Sequence, residues 1–352
     1  MENNTTTLNV LITGCFAPGT NGTLYGLFNS KRIIAGKVIG IDQNPRMQSR
    51  PGFNEIFSVD STDPEKYIKE VVKLINEHEI DIVIPQTTRE TLIYSELASL
   101  IPESCKIVIA GTFKTIQDAN NKYHTSLIAA SLGASKVEIV DGAHPDLLKA
   151  FITEEVRKSG ACFLKMKNAS GGRGVIRVIA DASLSRNLLE KPGSFHVISL
   201  TACYSFLESL KDQIADFFAM PEVVGFEYSV DVFRSEKKFL AIPRKREVIR
   251  AGVSLVNQLQ DQDKLINLCK LLSEQLGLEG VFGFQFLEDL QGRIYFLECN
   301  PRVQGTMHAT IMSGVNIIEY GILNSLGLDF SVDEPNWTTR FYRAEGGYVE
   351  YS

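Results

Sequence analysis

The residues best suited to chemistry lie in the segment Gly283–Arg302, where two apolar runs flank the pair Gln291-Gly292. A two-residue turn at that pair predicts an antiparallel hairpin. In this register Gln285 lies opposite Glu298, and Asn300 projects on the same face. A longer turn would change the register and separate the pair. Converging carboxylate and amide oxygens are typical of a Mg²⁺ or Mn²⁺ site completed by phosphates. The alternative is a solvated strand edge.

A second candidate is the run Phe163–Val175, in which a strand is followed by a loop of small residues. Lys165 and Lys167 alternate onto one strand face. A loop rich in glycine brings backbone N–H groups against phosphate oxygens, because no Cβ stands in the way. The alternative is an ordinary flexible hairpin turn. We favour phosphate binding, and the candidate loop residues are Gly171, Gly172, Arg173 and Gly174.

A third candidate is the segment Met220–Val232, which carries alternating acidic and apolar residues. Glu227, Ser229 and Asp231 share one strand face, and such a face can hold ribose hydroxyls. The extended stretch that begins at Met220 offers backbone groups to an adenine edge, and the carbonyl of Pro221 can still accept from the 6-amino group. The alternative is a plain amphipathic strand.

The fourth candidate is basic. Four cations, Arg244, Lys245, Arg246 and Arg250, fall within seven residues of an acidic protein. Arg244 and Arg246 share a strand face. Such a cluster suits a transferred phosphoryl group or a carboxylate. A solvated charge run is the alternative reading, and the sequence does not separate the two.

The elements that must position these residues begin with a βα pattern. Four short β-branched runs, typical of strands buried in a parallel sheet, are Leu8–Gly14, Lys37–Asp42, Asp81–Pro85 and Lys106–Ala110. A helix is predicted over Pro64–His78, capped by Asp63. The glycines at 14, 19, 22 and 26 do not fit a dinucleotide fingerprint, and no P-loop occurs. Loops after the strand ends are expected to line a crevice at the sheet edge.

Beyond this region the pattern changes. A helix is predicted over Asp118–Leu132, ended by Gly133, and a hairpin joins Phe163–Lys167 to Val175–Ala180. Mixed strands and helices follow from about Phe218.

Composition restricts the class of protein. The chain has 352 residues, a formal net charge of −6 and 44% hydrophobic residues, which is typical of a globular protein of two to three domains. No basic run indicates nucleic-acid binding, and no apolar stretch is long enough for a membrane span. The six cysteines are scattered and the first residues do not resemble a secretion signal. We therefore expect reduced thiols and a cytoplasmic location.

In their order and spacing these motifs resemble the ATP-grasp superfamily, in its carbamoyl-phosphate-synthetase-like branch. The resemblance covers nearly the whole chain and implies an α/β (overall α+β) fold. It implies a parallel-sheet pre-ATP-grasp domain at 1–115, a lid subdomain with the glycine loop at 116–217, and a mixed-sheet body with the metal site at 218–352. The chain has one such copy and no glutaminase domain, so it departs from complete carbamoyl phosphate synthetases.

The resemblance also implies roles for individual residues. Lys122 and Lys165 match phosphate-contacting lysines. Val223 lies where the family uses a backbone N–H for adenine, and Glu227 where it uses a carboxylate for ribose. The acidic hinge residue of the family falls at or next to Pro221, with Glu222 displaced by one. The remaining matches are Gln285, Glu298 and Asn300 to metal ligands, and Arg302 to the arginine beside the reacting phosphate; Arg246 joins Arg302 and Lys165 as a candidate catalytic residue.

Family enzymes use ATP to phosphorylate a carboxylate, and an amine or similar nucleophile then attacks the acylphosphate. The expected partners are therefore a small-molecule acid and amine, with an amino acid as the expected substrate, ATP and Mg²⁺ as cofactors, and a possible homodimer through the first domain. One alternative is an ATP-binding module without catalysis that has a regulatory or assembly role. A reductase that uses the first domain is a third possibility, which the missing fingerprint disfavours.

Overall fold

The fold is described from a computed structural model, which covers residues 5–169, 174–181, 196–250 and 252–344. Within these ranges the strands form three sheets that follow one another along the chain. The predicted loop residues Gly171, Gly172 and Arg173 lie outside the described residues.

The first sheet is parallel, as predicted, and has the order β3-β2-β1-β4-β5. Its strands are β1 Thr6–Thr13, β2 Ile33–Asp42, β3 Glu55–Ser58, β4 Ile82–Pro85 and β5 Lys106–Ile107. The last strand is shorter than predicted. The chain leaves the sheet after Val108, because the carbonyl of Ala110 accepts from the N–H of Glu279 in the body of the protein instead.

Helices α1 Thr20–Phe28, α2 Pro64–Glu77 and α3 Thr88–Glu96 pack on this sheet. Helix α4 Phe113–Asn120 follows and packs against α3 and the third region of the chain. The predicted cap of α2 is confirmed, since the side chain of Asp63 accepts from the N–H of Lys66. Pro64 suits the first helical position, where no N–H partner is needed.

The single helix predicted over Asp118–Leu132 is wrong. The chain breaks at Asn121, which has an extended backbone, and α5 Lys122–Ser131 begins directly after it. The side chain of Asn121 caps this second helix by accepting from the N–H of His124. Gly133 follows the helix end with φ +109°, as expected for a glycine that stops a helix. The break places Lys122 in the first turn of α5.

The second sheet is mixed, with the order β6-β10-β7-β8-β9. Its strands are β6 Val140–Asp141, β7 Ala161–Met166, β8 Val175–Ile179, β9 His196–Ser199 and β10 Phe217–Pro221. Two helices, α6 Pro145–Ser159 and α7 Leu200–Leu210, pack on it. The predicted hairpin is confirmed: β7 and β8 are antiparallel, with Lys165 opposite Val175.

The third sheet is antiparallel and has the order β15-β14-β11-β12-β13-β16. Its strands are β11 Gly225–Arg234, β12 Phe239–Arg250, β13 Val253–Leu259, β14 Gly280–Asp289, β15 Ile294–Asn300 and β16 Arg340–Tyr342. The helices of this region are α8 Asp263–Leu276, α9 His308–Met312 and α10 Ile317–Ser325. The sheet of the body, which was expected to be mixed, is antiparallel, and the mixed sheet is the second one. The predicted α/β class is confirmed.

The third sheet has two chemically different faces. Phe282, Phe284 and Phe286 lie on one face and pack with residues of α8 in a buried apolar cluster. The intervening residues, such as Gln285, face the other way. A second apolar cluster contains residues of the first sheet, such as Ile12, residues of the third sheet, such as Val281, and residues of α10. The first sheet therefore lies against the body, and its edge faces the polar side of the third sheet.

Candidate active site

A cavity of about 650 Å³ lies between the polar face of the third sheet, the second sheet and the edge of the first. It is lined by most of the residues predicted from the sequence: Lys122, Lys165, Pro221, Glu222, Val223, Glu227, Arg246, Gln285, Glu298, Asn300 and Arg302. Gly174 is not part of the lining. It has φ +67°, and a Cβ there would lie 2.8 Å from the Cγ of Met166, so its geometry serves the hairpin.

The predicted turn of the β14–β15 hairpin is wrong by one residue. Near the turn Glu288 pairs with Ile294, and the N–H of Asp289 donates to the carbonyl of Arg293. The loop therefore has three residues, ending in Gly292 with φ +75°, a common hairpin loop with glycine in the left-handed position. This longer loop moves the register of the strands near the turn.

The predicted pair of Gln285 and Glu298 nevertheless forms, because β15 carries a bulge. Phe286 pairs with Phe296, but Gln285 pairs with Glu298, so Leu297 is the extra residue. The bulge reverses the alternation of β15. It turns Glu298 and Asn300 to the cavity side, while Cys299 joins the apolar cluster on the opposite face.

The metal candidates form a connected polar group. The amide of Asn300 donates to Oε1 of Glu298 at 3.0 Å, and Nη2 of Arg302 donates to Oδ1 of Asn300 at 3.0 Å. Arg246 donates to Oε1 of Gln285 at 3.3 Å. Burial acts to raise the pKa of Glu298, but Lys122, Asn300 and Arg302 outweigh it and hold that pKa below its usual value. Glu298 is therefore ionised.

The chemistry of this trio fits a magnesium ion only with help from a ligand. The described residues contain no group of three or more His, Cys, Asp or Glu side chains arranged to hold a metal. Glu298 is the single carboxylate among the candidates, next to two amide oxygens. One carboxylate plus phosphate oxygens is an ordinary Mg²⁺ environment. The trio therefore suits a metal that arrives with a phosphate-bearing ligand.

Two lysines face this group. Lys122 lies 3.3 Å from Oε2 of Glu298 and also donates to the carbonyl of Ala169, at the start of the glycine loop. Lys165 is half-buried on β7. Burial and the neighbouring Lys122 lower the pKa of Lys165 to about 8, while Glu298 and Glu227 oppose that change. Lys165 is thus a cation near neutral pH that titrates more readily than an exposed lysine.

The two acidic residues assigned to adenosine are engaged with arginines. Arg177 on β8 donates to both carboxylate oxygens of Glu222, at 2.8 and 2.7 Å. Glu227 accepts from Arg246 at 2.5 Å. The Glu222 side chain is therefore directed to the second sheet, and the backbone of Pro221–Val223 is what remains for an adenine edge. That role is still a prediction.

Asp231 does not belong to the cavity, although it shares a strand face with Glu227. It is fully buried and forms a bidentate ion pair with Arg244, at 2.8 Å for both contacts. Arg244 also donates to Thr306 at 2.8 Å. The expectation that the whole acidic face of β11 meets ribose is thus wrong for Asp231, because Arg244 already neutralises it. The pair instead fixes the 304–306 loop, which lines the cavity.

Alternation along β12 places the cations of the basic run on opposite faces of the sheet. Arg244 and Arg246 are buried, so the solvated-run reading is wrong for these two. Arg246 donates to Glu227, Gln285 and the carbonyl of Gly252, and burial lowers its pKa. Lys245 faces the other way, with its Nζ 3.5 Å from the ring centroid of Phe226. Of the four cations in the run, Arg246 is the one that lines the cavity.

Several lining residues are absent from the candidate set drawn from the sequence. Gln304 and Thr306 follow Arg302 by two and four residues, and Ser254 and Tyr295 come from β13 and β15. The loops of the first sheet contribute Ala17–Gly19 and Gln86–Thr88, as expected for loops at the carboxyl ends of parallel strands. Gln304 lies two residues after the Glu-x-Asn-Pro-Arg motif, and this closeness in sequence is the only signal that could have identified it as a lining residue.

Comparison with known families gives one match. Residues 213–345 match a family model described as ATP-grasp in the biosynthetic pathway with Ter operon. A comparison with curated protein sequences gave no match.

Solved structures resemble nearly the whole chain. A biotin carboxylase domain of 2-oxoglutarate carboxylase from Hydrogenobacter thermophilus, solved with MgADP, ADP and bicarbonate, has a TM-score of 0.69 at 15% identity, covering 95% of this chain and 73% of that chain. Biotin carboxylase from Campylobacter jejuni has a TM-score of 0.67 at 16% identity, covering 94% and 73%. N5-carboxyaminoimidazole synthetase from Staphylococcus aureus, solved with ADP, has a TM-score of 0.64 at 12% identity, covering 93% and 79%.

These likenesses show an ATP-grasp fold over nearly the whole chain, with an ATP-grasp family match over its body. The resemblance that the sequence motifs predict is therefore confirmed. The six cysteines are all buried and unpaired. No helix among the described residues is long and apolar enough to cross a bilayer.

Proposed function

We propose that this protein is an ATP-dependent carboxylate–amine ligase of the ATP-grasp type, acting on a small molecule, with an amino acid as the expected substrate. One observation carries the proposal. The polar face of the third sheet gathers Gln285, Glu298 and Asn300 around one cavity, and Lys122, Lys165 and Arg302 line the same cavity. Phosphoryl transfer needs this combination of metal ligands and cations, because its catalysis is mostly positioning and electrostatic stabilisation.

The proposed nucleotide lies along the cavity. The backbone of Pro221–Val223 contacts adenine, and Glu227 contacts the ribose. Lys122 and Lys165 contact the phosphates together with the glycine loop. Glu298, Asn300 and Gln285 would hold Mg²⁺, which would neutralise phosphate charge. The phosphates would compete with Glu298 for Lys122, and the metal would compete with Lys122 for Glu298, since these two side chains are 3.3 Å apart.

The proposed reaction has two steps. A substrate carboxylate oxygen attacks the γ-phosphorus, the bond to the bridging oxygen breaks, and ADP leaves. The amine then attacks the carbonyl carbon of the acylphosphate, phosphate leaves as the C–N bond forms, and the nitrogen loses a proton to solvent or to the departing phosphate. Arg302 and Lys165 stabilise charge on the transferred group, and Arg246 holds Gln285 and Glu227 in position. Closure of the second sheet over the cavity would exclude water from the acylphosphate.

The solved relatives support this proposal. The Hydrogenobacter domain was solved with MgADP and bicarbonate, which is a small acid. The Staphylococcus enzyme was solved with ADP and is named a synthetase. The three domain boundaries and the homodimer also remain predictions.

The test separates a ligase from a silent module. Calorimetry should detect MgATP binding, and ADP release should require an acid and an amine together when pairs of small acids and amines, amino acids included, are screened. MgATP binding with no ADP release from any pair would favour the regulatory module. Failure to bind MgATP at all would overturn both readings.

A further inference from the structure

Arg177 and Glu222 form a bidentate ion pair beside the cavity. Nε and Nη2 of Arg177 donate to the two carboxylate oxygens of Glu222 at 2.8 and 2.7 Å. The two side chains are only 16% and 24% exposed. Two parallel hydrogen bonds fix the carboxylate in direction as well as in distance. The pair therefore constrains the backbone at Glu222 more than a single surface contact would.

This ion pair reaches across β7. In the second sheet Phe163 of β7 pairs with Arg177 of β8 on one side and with Met220 of β10 on the other. Glu222 follows Met220 by two residues, so the pair joins β8 to the chain that leaves β10. Val175, two residues before Arg177 on β8, lines the cavity together with Phe163 and Met220. Arg177 itself does not line the cavity, so it would act on a ligand through Glu222 and not by contact.

The chain between the second and third sheets is short and is held at both ends. Strand β10 ends at Pro221, and β11 begins at Gly225. The ion pair holds Glu222 to the second sheet. At the other end, a Cβ on Gly225 would lie 2.1 Å from the carbonyl oxygen of Glu288 on β14, so the close approach to the third sheet requires glycine. Residues 223–224 lie between these two fixed points.

We propose that Arg177 is a positioning residue for the adenine ring. Its ion pair with Glu222 holds the backbone of Pro221–Val223 to the second sheet, so that the carbonyl of Pro221 and the N–H of Val223 meet the adenine edge at a fixed spacing. A binding edge that is fixed before the ligand arrives loses less conformational freedom on binding. The inference rests on the proposed function, because it concerns the nucleotide that the ligase uses. It adds that a side chain outside the cavity sets the affinity for the base.

Loss of the ion pair should weaken the binding of every adenine nucleotide, with or without metal. The test uses the full chain and measures two ligands by calorimetry: a non-hydrolysable ATP analogue with Mg²⁺, and ADP without Mg²⁺. For Arg177→Met we expect both dissociation constants to rise about tenfold, because the base contacts are common to both ligands. Glu222→Met breaks the same pair from the other side, should give the same rise, and covers the case in which Arg177→Met does not fold.

Three further variants link the loss to the pair. The double variant Arg177→Met/Glu222→Met should bind no more weakly than either single variant, because each single change already breaks the pair. Glu222→Gln can still accept one hydrogen bond from Arg177, so it should lose less affinity than Glu222→Met. Arg157→Met is the matched control. Arg157 also donates to both oxygens of a glutamate, at 2.8 and 2.7 Å, but it lies exposed on α6, and its loss should leave both constants unchanged.

Three results would overturn the inference. The first is unchanged affinity for both nucleotides in a folded variant whose thermal unfolding midpoint alone has fallen or stayed the same, since the pair would then have no role in binding. The second is a loss confined to the ligand with Mg²⁺, which would place the effect at the phosphates. The third is a loss in the double variant equal to the product of the single losses, since the two residues would then act separately. If the wild type binds neither nucleotide, the proposed function fails together with this inference, and that result is distinct because it appears without any substitution.

Discussion

Lys122 and Glu298 form a largely buried ion pair, with 3.3 Å between Nζ and Oε2 and with side chains that are 6% and 15% exposed. The pair joins the first turn of α5 to the end of β15. It also keeps the one carboxylate of the candidate metal group ionised in a buried place, since the opposite charge offsets the cost of desolvation. A ligand that brings a divalent cation and phosphates would give both charges new partners.

Glu298→Gln should remove the metal dependence of nucleotide binding. The variant keeps the size of the side chain but loses the charge that Mg²⁺ requires. We expect the affinity for a non-hydrolysable ATP analogue with Mg²⁺ to fall about tenfold or more, to near its value without metal. Calorimetry with and without Mg²⁺ measures this. Glu279→Gln is the matched control, because Glu279 is 57% exposed. A variant with unchanged Mg²⁺ dependence would exclude Glu298 as a metal ligand.

Nucleotide affinity should weaken as the pH rises through about 8. Burial and Lys122 lower the pKa of Lys165 to about 8, so its amine is charged below that pH and increasingly neutral above it. A neutral amine loses its attraction to phosphate. Lys165→Arg keeps its charge to much higher pH, so its affinity should stay flat between pH 7 and 9. The same decline in both proteins would show that another group is responsible.

Glu90 should make the protein less stable at higher pH. Burial outweighs the hydrogen bonds from Thr87 and Tyr67 and raises the pKa of Glu90 from 4.5 to about 7. Between these two values the folded protein binds more protons than the unfolded chain, so the free energy of unfolding falls as the pH rises. Glu90→Gln removes this titration.

We therefore expect Glu90→Gln to exceed wild type in free energy of unfolding by roughly 1–3 kcal/mol at pH 8. The difference should shrink toward pH 4.5. Urea unfolding at several pH values measures it. Glu96→Gln, at an exposed position on the same helix, should leave the pH dependence unchanged. A constant difference at every pH would argue against titration of Glu90.

The buried pair of Asp231 and Arg244 should show strong coupling. Both side chains are 0% exposed, so Asp231→Val leaves an uncompensated charge and should cost about 3–5 kcal/mol. The double variant Asp231→Val/Arg244→Met should recover most of that loss. Urea unfolding gives both values. Glu154→Gln breaks an exposed pair with Lys158 and should cost less than about 1 kcal/mol. If the double variant lost as much stability as the two single variants added together, the coupling would be contradicted.

The sequence was sufficient for features that depend on short-range pattern. The parallel strands of the first sheet, the β7–β8 hairpin and the cap at Asp63 follow from periodicity and from residue types at element ends. The register of Gln285 and Glu298 was also predicted, but for an incomplete reason. The turn is longer than expected, and the bulge at Leu297 offsets it.

The tertiary structure decided which charged side chains are available to a ligand. Sequence alternation placed Glu227 and Asp231 on one face, yet only packing determined that Arg244 neutralises Asp231 while Glu227 reaches the cavity. The break at Asn121 sets the start of α5, and the packing of α5 against β15 brings Lys122 to Glu298. Gln86 is a further case: the sequence places it in a loop at the end of a strand, but only the fold brings its Oε1 to the hydroxyl of Thr23. Short-range pattern determines the elements, whereas burial and pairing depend on residues far apart in the chain.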